Sequence, residues 1–179
     1  MLTVREVTPE FEDILELEKI FHEAFPPEER IGTFEQMLSS SAFDFVTKAY
    51  YSNGRLIGAL VITHMEAFDY GFYLAVHKDL RNCGYGGEIF DAQIAECKDK
   101  PFVFAIEDPD EECGNRDQRL RREAFYLRHD CVYAGCKGRI MEGGITFKFM
   151  TSKKTDNIAH LIEENLSRSY PLGSILVDP

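Results

Sequence analysis

The chain has 179 residues, the length of one ordinary domain. Its 20 basic and 31 acidic side chains give a net charge of −11, so we expect no binding of nucleic acid, whose phosphates such a surface repels. A content of 44% hydrophobic and 28% charged residues excludes a disordered or fibrous chain.

The sequence carries no targeting or membrane signal. Charges occur throughout the N-terminal region, and there is no run of about eighteen apolar residues, so we expect a cytoplasmic protein without a membrane span. The 5 cysteines include no C-x-x-C pair, which indicates reduced thiols. His129, Cys131 and Cys136 lie close together, but their spacing matches no zinc signature, and no metal site is predicted.

The first part of the chain predicts two helices. Apolar residues recur at steps of three and four from Phe11 to Phe25, which is typical of an amphipathic helix. Pro26-Pro27 ends this helix, because proline disfavours helical backbone in the residue before it. A second, short helix is predicted around Phe34, Met37 and Leu38.

The next segment predicts a β-hairpin and a third strand. Two β-rich runs, 45–51 and 56–63, flank Ser52-Asn53-Gly54-Arg55. Asn-Gly favours a type I′ turn, which needs positive φ at both central residues. A third strand follows over about 70–77.

The centre of the chain predicts a strand–helix–strand unit. Gly84-Tyr85-Gly86-Gly87 opens a helix that ends near Lys98, and residues 101–106 form a short apolar strand. We expect this strand to run parallel to the strand before the helix, with a right-handed crossover.

The remaining segments predict alternating helices and strands after an acidic loop, Asp108–Gly114. The sequence contains no internal repeat and no linker fit to separate two domains. The predicted elements are a helix at 115–128, a hairpin of 132–141 and 145–151 joined by Glu142-Gly143-Gly144, a helix at 158–166, and an edge strand at 175–177.

The glycine-rich turn after the third strand is the main candidate for chemistry. Glycine lets the backbone approach a ligand, and the first amides of a helix have no partner within the helix and carry partial positive charge. Such a turn binds phosphate, or it serves only close helix–sheet packing; the glycines alone do not choose. A P-loop would need Gly-Lys-Ser/Thr, and a dinucleotide fingerprint would need glycine or alanine at Ile89, so neither fits.

The pattern that does fit is Arg-x-x-Gly-x-Gly, at Arg81, Gly84 and Gly86. It resembles the acetyl-CoA motif of the GNAT acetyltransferase superfamily. The segment Glu123–Asp130 is similar to that family's Ala-x-x-Tyr-x-x-x-Gly-Phe helix ending, and the element order agrees over about 2–151. The resemblance implies a mixed α/β fold with a mostly antiparallel central sheet, a βαβ core and flanking helices.

The resemblance also implies a division of the chain. Residues 1–152 would form the acyl-CoA-binding and catalytic domain. Residues 153–179 would form a C-terminal helical extension packed on it. The sequence leaves three roles open for this extension: covering a sheet edge, completing the substrate pocket or joining a homodimer.

Acetyl-CoA would be the cosubstrate, without a metal. By resemblance, one strand end would bind the pantetheine arm through its backbone, and the glycine turn would hold the pyrophosphate through its amides, with an arginine beside it. Tyr126 would be the general acid for the departing thiolate. The implied cofactor-binding residues are Leu74, Ala75, Val76, Arg81, Asn82, Cys83, Gly84, Tyr85, Gly86 and Gly87.

The chain departs from the family pattern at three positions. The family glycine after the helix is Asp130, and the following aromatic is Cys131. Asp accepts left-handed backbone better than most residues, though less readily than glycine, so the helix can still end there. The family asparagine seven residues before the tyrosine is Arg119. Together with Arg121 and Arg122 it could meet CoA phosphates or form a helix face solvated by neighbouring acids.

Acetyl transfer to an amine needs a base, because an alkylammonium group of pKa about 10 is protonated at neutral pH. Glu107, at the end of an apolar strand, is the first candidate. Glu28 and Glu29 are the second, in a loop that lies on the substrate side in the family. His64 and His77 are weaker candidates; His77 could instead cap the turn.

The sequence therefore predicts an enzyme, an N-acetyltransferase that moves acetyl from acetyl-CoA directly to an amine. The acids near the expected pocket favour a small cationic amine or a lysine side chain. The alternative is a non-catalytic acyl-CoA-binding or sensor module on the same fold, because a fold alone does not establish activity.

Overall fold

The computed structural model describes residues 2–25, 27, 30, 34, 38, 44–139, 145–169 and 176–178. These residues divide into two compact units. The first unit contains residues 1–64 and 71–96, and the second contains 65–70 and 97–179. Each unit therefore contains two separate segments of the chain.

The described residues of the first unit include antiparallel strands and α-helices. β1 pairs with β2, and β2 with β3, both antiparallel, and β4 lies next to β3. The elements are β1 (Leu2–Glu6), α1 (Ile14–Ala24), β2 (Phe45–Ser52), β3 (Arg55–His64), β4 (Asp69–Val76, from residue 71 onward in this unit) and α2 (Tyr85–Cys97, up to residue 96).

The predicted first helix is confirmed, and its end has a local cause. α1 buries Leu17, Ile20 and Phe21, which lie on one face at steps of three and one. Phe25 then has φ −126° and ψ 120°, the extended backbone that a following proline imposes. The second predicted helix, around Phe34 and Leu38, falls mostly outside the described residues.

The predicted type I′ hairpin is also confirmed. β2 and β3 flank Asn53 and Gly54, whose φ angles are 51° and 75°, so both central residues are left-handed. Across the hairpin, Tyr50 faces Gly58. The turn chemistry sets this register. β3 is buried from Leu56 to Thr63, so a slip by one residue would exchange the side chains that pack on its two faces.

Aromatic and apolar side chains of α1 and of the strands form the core of the first unit. The ring of Phe21 meets Tyr73 edge-on at 5.0 Å between centroids, and Phe25 meets Tyr73 at 4.8 Å. The Tyr51 hydroxyl donates to Asp13 at 2.6 Å. Burial, together with this hydrogen bond, raises the pKa of Tyr51.

A buried lysine connects β2 to α2. Lys48 is 9% exposed, and its ammonium group donates to Gln93 Oε1 at 2.8 Å and to Glu96 Oε2. Gln93 is itself 1% exposed. A buried ammonium group needs such partners, because leaving its charge unpaired in the interior costs several kcal/mol, by an order-of-magnitude estimate.

The second unit contains the other strands and helices. β5 pairs with β7, β7 with β6, and β6 with β8, all antiparallel. Its core includes Phe102, Phe149, Met150 and Ile162. The elements are β5 (Phe102–Glu107), α3 (Arg116–Arg128), β6 (Val132–Arg139), β7 (Thr146–Thr151), α4 (Ile158–Ser169) and β8 (Leu176–Asp178).

The observed elements confirm a mixed α/β fold with mostly antiparallel strands. β4, α2 and β5 follow one another in the predicted strand–helix–strand order. The turn predicted at Glu142-Gly143-Gly144 lies outside the described residues. The division into residues 1–152 and 153–179 stays a prediction, as does the role of the extension, in which α4 is the predicted helix.

Candidate active site

The glycine-rich segment of the first unit forms an exposed loop before α2. After β4 a short 3₁₀ turn runs over Lys78–Leu80, and α2 begins at Tyr85. Asn82 and Gly84 are left-handed, with φ of 63° and 90°. A Cβ at Gly84 would meet nothing within 4 Å, so backbone conformation, not space, calls for glycine there. Residues 81–87 are called the glycine-rich loop below.

The amides of this loop point to an anion site. The carbonyl of Gly84 accepts from the amides of Gly87 and Glu88 at 3.0 and 3.2 Å, which marks the first turn of α2. Within the described part of the chain, the preceding amides of residues 82–86 have no backbone acceptor. Unpaired amides at the start of a helix carry partial positive charge, so this geometry fits a phosphate or pyrophosphate group.

Two cations contact the end of α1: Lys78, just before the loop, and Arg81, at its start. Arg81 donates from Nε to the Val76 carbonyl and from Nη2 to the Glu23 carbonyl, both at 3.3 Å. Lys78 pairs with the Glu23 carboxylate at 2.9 Å. The hydrogen bond from Lys78 is the main cause that lowers the pKa of Glu23. Both cations therefore stand near the carbonyl end of a helix, where positive charge is favourable.

His77 has the role of the turn cap that the sequence left open. Its Nδ1 accepts from the Asp79 amide at 3.2 Å, and its own amide donates to the Ile57 carbonyl at 2.8 Å. These bonds fix the chain as it leaves β4.

Gly58 is a residue that the sequence reasoning missed. A Cβ on Gly58 would lie 2.3 Å from the Ala75 carbonyl oxygen and 3.1 Å from Ile89 Cδ1. Only glycine therefore lets β3 lie this close to the end of β4 and to α2. A glycine in the middle of the apolar run 56–63 was the available signal.

Tyr126, the predicted general acid, lies on α3 in the second unit. Its ring packs on Phe104 of β5 at 4.2 Å and on Phe125 at 5.0 Å between centroids. Burial raises the pKa of Tyr126 to about 12, opposed by the positive charge of Arg122. The phenol is therefore protonated at neutral pH, as a proton donor must be.

Glu107, the predicted base, contacts two arginines of α3. Its Oε1 lies 3.0 Å from Arg119 Nη2, and its Oε2 lies 3.0 Å from Arg122 Nη1. The Glu107 side chain is 9% exposed, and that of Arg119 is 7% exposed. Both carboxylate oxygens of Glu107 are therefore held by guanidinium groups of α3.

Arg119 is a structural anchor of this region. Its Nη1 donates to the Asp108 carbonyl at 2.9 Å and lies 3.7 Å from Glu111. Of the three arginines in the predicted basic cluster, Arg119 is buried, Arg121 is exposed and Arg122 is intermediate. We call Glu107, Arg119 and Arg122 the buried ion-pair cluster.

The acidic loop after β5 is largely neutralised by the chain's own lysines. Asp108 lies 2.7 Å from Lys137 and 3.2 Å from Lys148, and Lys148 also lies 2.6 Å from Asp110. Burial alone would raise the pKa of Asp108, but the hydrogen bonds from Lys137, the Asp110 amide and Lys148 hold that pKa below its usual value. These acids therefore attract a cationic ligand less than their number suggests.

Three further predictions concern Asp130, the pair Glu28 and Glu29, and metal binding. Asp130 has φ 59°, so it takes the left-handed position that ends α3 although it is not glycine. Glu28 and Glu29 lie outside the described residues. Among the residues with described positions, no group of three or more His, Cys, Asp or Glu side chains could hold a metal, and all 5 cysteines are free.

No helix in the described ranges combines the length and the apolar character that crossing a bilayer requires.

The first unit thus contains an exposed loop whose backbone amides fit an anion, and the second contains a protonated tyrosine and an ion-pair cluster on α3 and β5. The family model described as the acetyltransferase (GNAT) family matches residues 11–130. The chain belongs to the GNAT acetyltransferase family, and it is an acyltransferase. No curated protein sequence matches it.

Solved structures share this fold at low sequence identity. A GNAT-family acetyltransferase from Bacteroides thetaiotaomicron is 22% identical, with a TM-score of 0.73 over 93% of this chain and 94% of that one. A GNAT-family acetyltransferase from Elizabethkingia anophelis with acetyl-CoA bound is 15% identical, with a TM-score of 0.62 over 86% and 98%. The ribosomal-protein-S18-alanine N-acetyltransferase from Escherichia coli is 14% identical, with a TM-score of 0.63 over 88% and 98%.

Proposed function

We propose that the protein transfers the acetyl group of acetyl-CoA directly to an amine in a ternary complex, the acceptor being a small cationic amine or a lysine side chain. Family membership supplies the acetyl transfer from acetyl-CoA. The observation that carries the proposal further is the glycine-rich loop. Its amides at the start of α2 have no backbone acceptor among the described residues and fit a pyrophosphate.

The first unit would hold acetyl-CoA mainly through its backbone. The peptide groups of Leu74, Ala75 and Val76 would pair with the pantetheine arm in the manner of an added strand. The amides of residues 82–87 would hold the pyrophosphate with Arg81 beside it. When bound, acetyl-CoA supplies an acetyl group activated as a thioester.

Tyr126 would donate its proton toward the departing sulfur. The N–C bond to the acetyl group forms as the C–S bond breaks, and the electron pair of that bond goes to sulfur. A phenol of pKa about 12 is fully protonated at pH 7 but is a weaker acid than a free thiol. Tyr126 would therefore act by a hydrogen bond that strengthens as negative charge develops on sulfur.

Three glutamates are candidates for the base that takes the amine proton. Glu107 is one candidate, although both of its oxygens accept hydrogen bonds from guanidinium groups. Glu28 and Glu29 are the others. An amine acceptor is supported by the Escherichia coli neighbour, whose name specifies an alanine of a ribosomal protein.

Ligand-dependent unfolding tests the cofactor site. Acetyl-CoA, CoA, NAD and ATP are added separately at about a hundred times the expected Kd, which stabilises a binding protein by about 2.7 kcal/mol. We expect the two CoA species to raise Tm by several degrees and NAD and ATP to leave it unchanged. Unchanged Tm with both CoA species would refute the proposed site.

Two glycine variants form a matched pair for this test. Gly86→Glu places a carboxylate in the first turn of α2, so it should abolish the shift caused by CoA. Gly114→Glu adds the same charge at an exposed glycine where a Cβ meets nothing within 4 Å, and it should keep the shift. Loss of the shift in both variants would point to a general effect of charge rather than to the loop.

Steady-state kinetics test the direct transfer. Release of CoA is followed with spermidine, a lysine-containing peptide and a neutral amine, and the acetylated product is identified by mass spectrometry. Intersecting double-reciprocal plots support a ternary complex, and parallel plots would replace it by a covalent acetyl-enzyme route. A clear preference for the neutral amine would overturn the proposed acceptor class.

A further inference from the structure

Arg122 is a neighbour of both Tyr126, the predicted acid, and Glu107, the predicted base. It lies on α3 four residues before Tyr126, so the two side chains are neighbours one helical turn apart. Its Nη1 lies 3.0 Å from Glu107 Oε2 on β5. A single guanidinium therefore stands next to both the predicted acid and the predicted base.

The anchoring of Arg122 leaves part of it accessible. Its side chain is 34% exposed, compared with 7% for Arg119 in the same cluster. Within the described part of the chain, Glu107 is the polar partner found for this guanidinium, and it uses one Nη. Several N–H donors of Arg122 can thus reach a ligand, while the buried carboxylate fixes the position of the charge.

Besides burial, two groups with described positions influence the pKa of the Tyr126 phenol: Arg122 lowers it and Cys131 raises it. Arg122 lies on the same helix as Tyr126, and Cys131 follows the end of that helix. From β5, Glu107 faces Arg122, and the uncharged ring of Phe104 packs on Tyr126. The cation that acts on the phenol is therefore one whose orientation depends on Glu107.

We infer that Arg122 is a positioning residue for acetyl transfer, which, held by Glu107, directs positive charge toward the CoA sulfur beside Tyr126. This inference rests on the proposed function. Glu107 then contributes to the reaction through Arg122 rather than by taking a proton. Arg122 would stabilise the negative charge left on sulfur when the C–S bond breaks, and Tyr126 would donate the hydrogen bond to the same atom.

The ionisation of bound CoA tests this inference without an acceptor and without turnover. The thiolate of CoA absorbs in the ultraviolet, and the same protein loaded with acetyl-CoA, which has no free thiol, provides the baseline. A free thiol has a pKa of about 8.5. We expect the pKa of the thiol bound to the wild-type protein to lie lower, and Arg122→Met to raise it by about one unit, a tenfold change in the ionisation equilibrium.

Four further variants make the measurement specific. Arg121→Met removes the same charge from the exposed face of α3 and should leave the thiol pKa as in the wild type. Arg122→Lys keeps the charge and should restore most of the wild-type value. Glu107→Gln removes the partner that holds Arg122, so Arg122→Met should change the thiol pKa less in the Glu107→Gln background than in the wild type.

The outcomes separate this inference from the proposed function. Failure of the wild type to bind CoA refutes the cofactor site itself. Binding of CoA with the same thiol pKa in the wild type and in Arg122→Met overturns the role of Arg122, as does an equal shift in Arg121→Met. If Arg122→Met does not fold, Arg122→Lys and Arg122→Gln decide, and a wild-type thiol pKa in Arg122→Gln contradicts the inference.

Discussion

The glycine-rich loop and the buried ion-pair cluster arrange their polar groups in opposite ways. The loop offers exposed backbone amides, set by left-handed residues at Asn82 and Gly84. The cluster offers charged side chains, two of them buried and that of Arg122 partly exposed, each held by an opposite charge across α3 and β5. Changes of side chain should therefore affect ligand binding at the loop with little cost in stability, and at the cluster they should cost stability first.

Arg119→Met should show the largest effect of this contrast. It leaves the Glu107 carboxylate buried with one partner fewer, and breaking a buried pair in this way costs about 3–5 kcal/mol. At this chain length we expect Tm to fall by roughly 6–20 °C, measured by calorimetry. Arg121→Met is the exposed control on the same helix and should stay within a degree or two. If Arg119→Met lowered Tm by only a degree or two, the ion pairs of the cluster would stabilise the fold no more than exposed ion pairs do.

Tyr126→Phe should give the next largest effect, on rate rather than on stability. It removes the proton donor and keeps the ring packed on Phe104, so turnover should fall roughly ten- to a thousandfold with little change in the affinity for acetyl-CoA. Initial rates and calorimetric binding measure the two quantities. Unchanged turnover would remove Tyr126 from the mechanism.

Cysteine labelling gives a smaller effect that sharpens the contrast from the side of the loop. Cys83 is exposed in the loop, whereas Cys113 is partly exposed in the second unit. Saturating acetyl-CoA should slow alkylation of Cys83 roughly tenfold, because a bound pyrophosphate covers it, and should leave Cys113 unaffected. Peptide mass spectrometry measures both rates. Equal protection at Cys113 would point to a global effect on the protein, and no protection at Cys83 would argue against the loop as the binding site.

Local features of the sequence predicted most of the secondary structure. Asn53-Gly54 specified the hairpin, Pro26 specified the extended backbone at Phe25, and the glycines after β4 specified the start of α2. In each case the information lies within a few residues, because turn and capping preferences depend on the local backbone.

The partners of charged side chains could not be predicted in this way. From the sequence, Arg119 could meet CoA phosphates or belong to a solvated helix face. In the structure it lies buried against Glu107. The lysines that neutralise Asp108 come from two other strands, β6 and β7. Such pairs depend on which strands are neighbours and on which residues face one another, and charge alone in a chain with 31 acids does not choose among them.

The buried contact of Lys48 with Gln93 and Glu96 also has a consequence for the far end of α2. Both partners lie near the C-terminal end of this helix, and a helix cannot rotate about its long axis while one of its ends is fixed to a strand. The direction in which its first amides point is therefore set in part about two turns away, by a lysine that contacts no part of the loop. A mutation of Lys48 would therefore change the direction of the loop amides without changing the sequence of the loop.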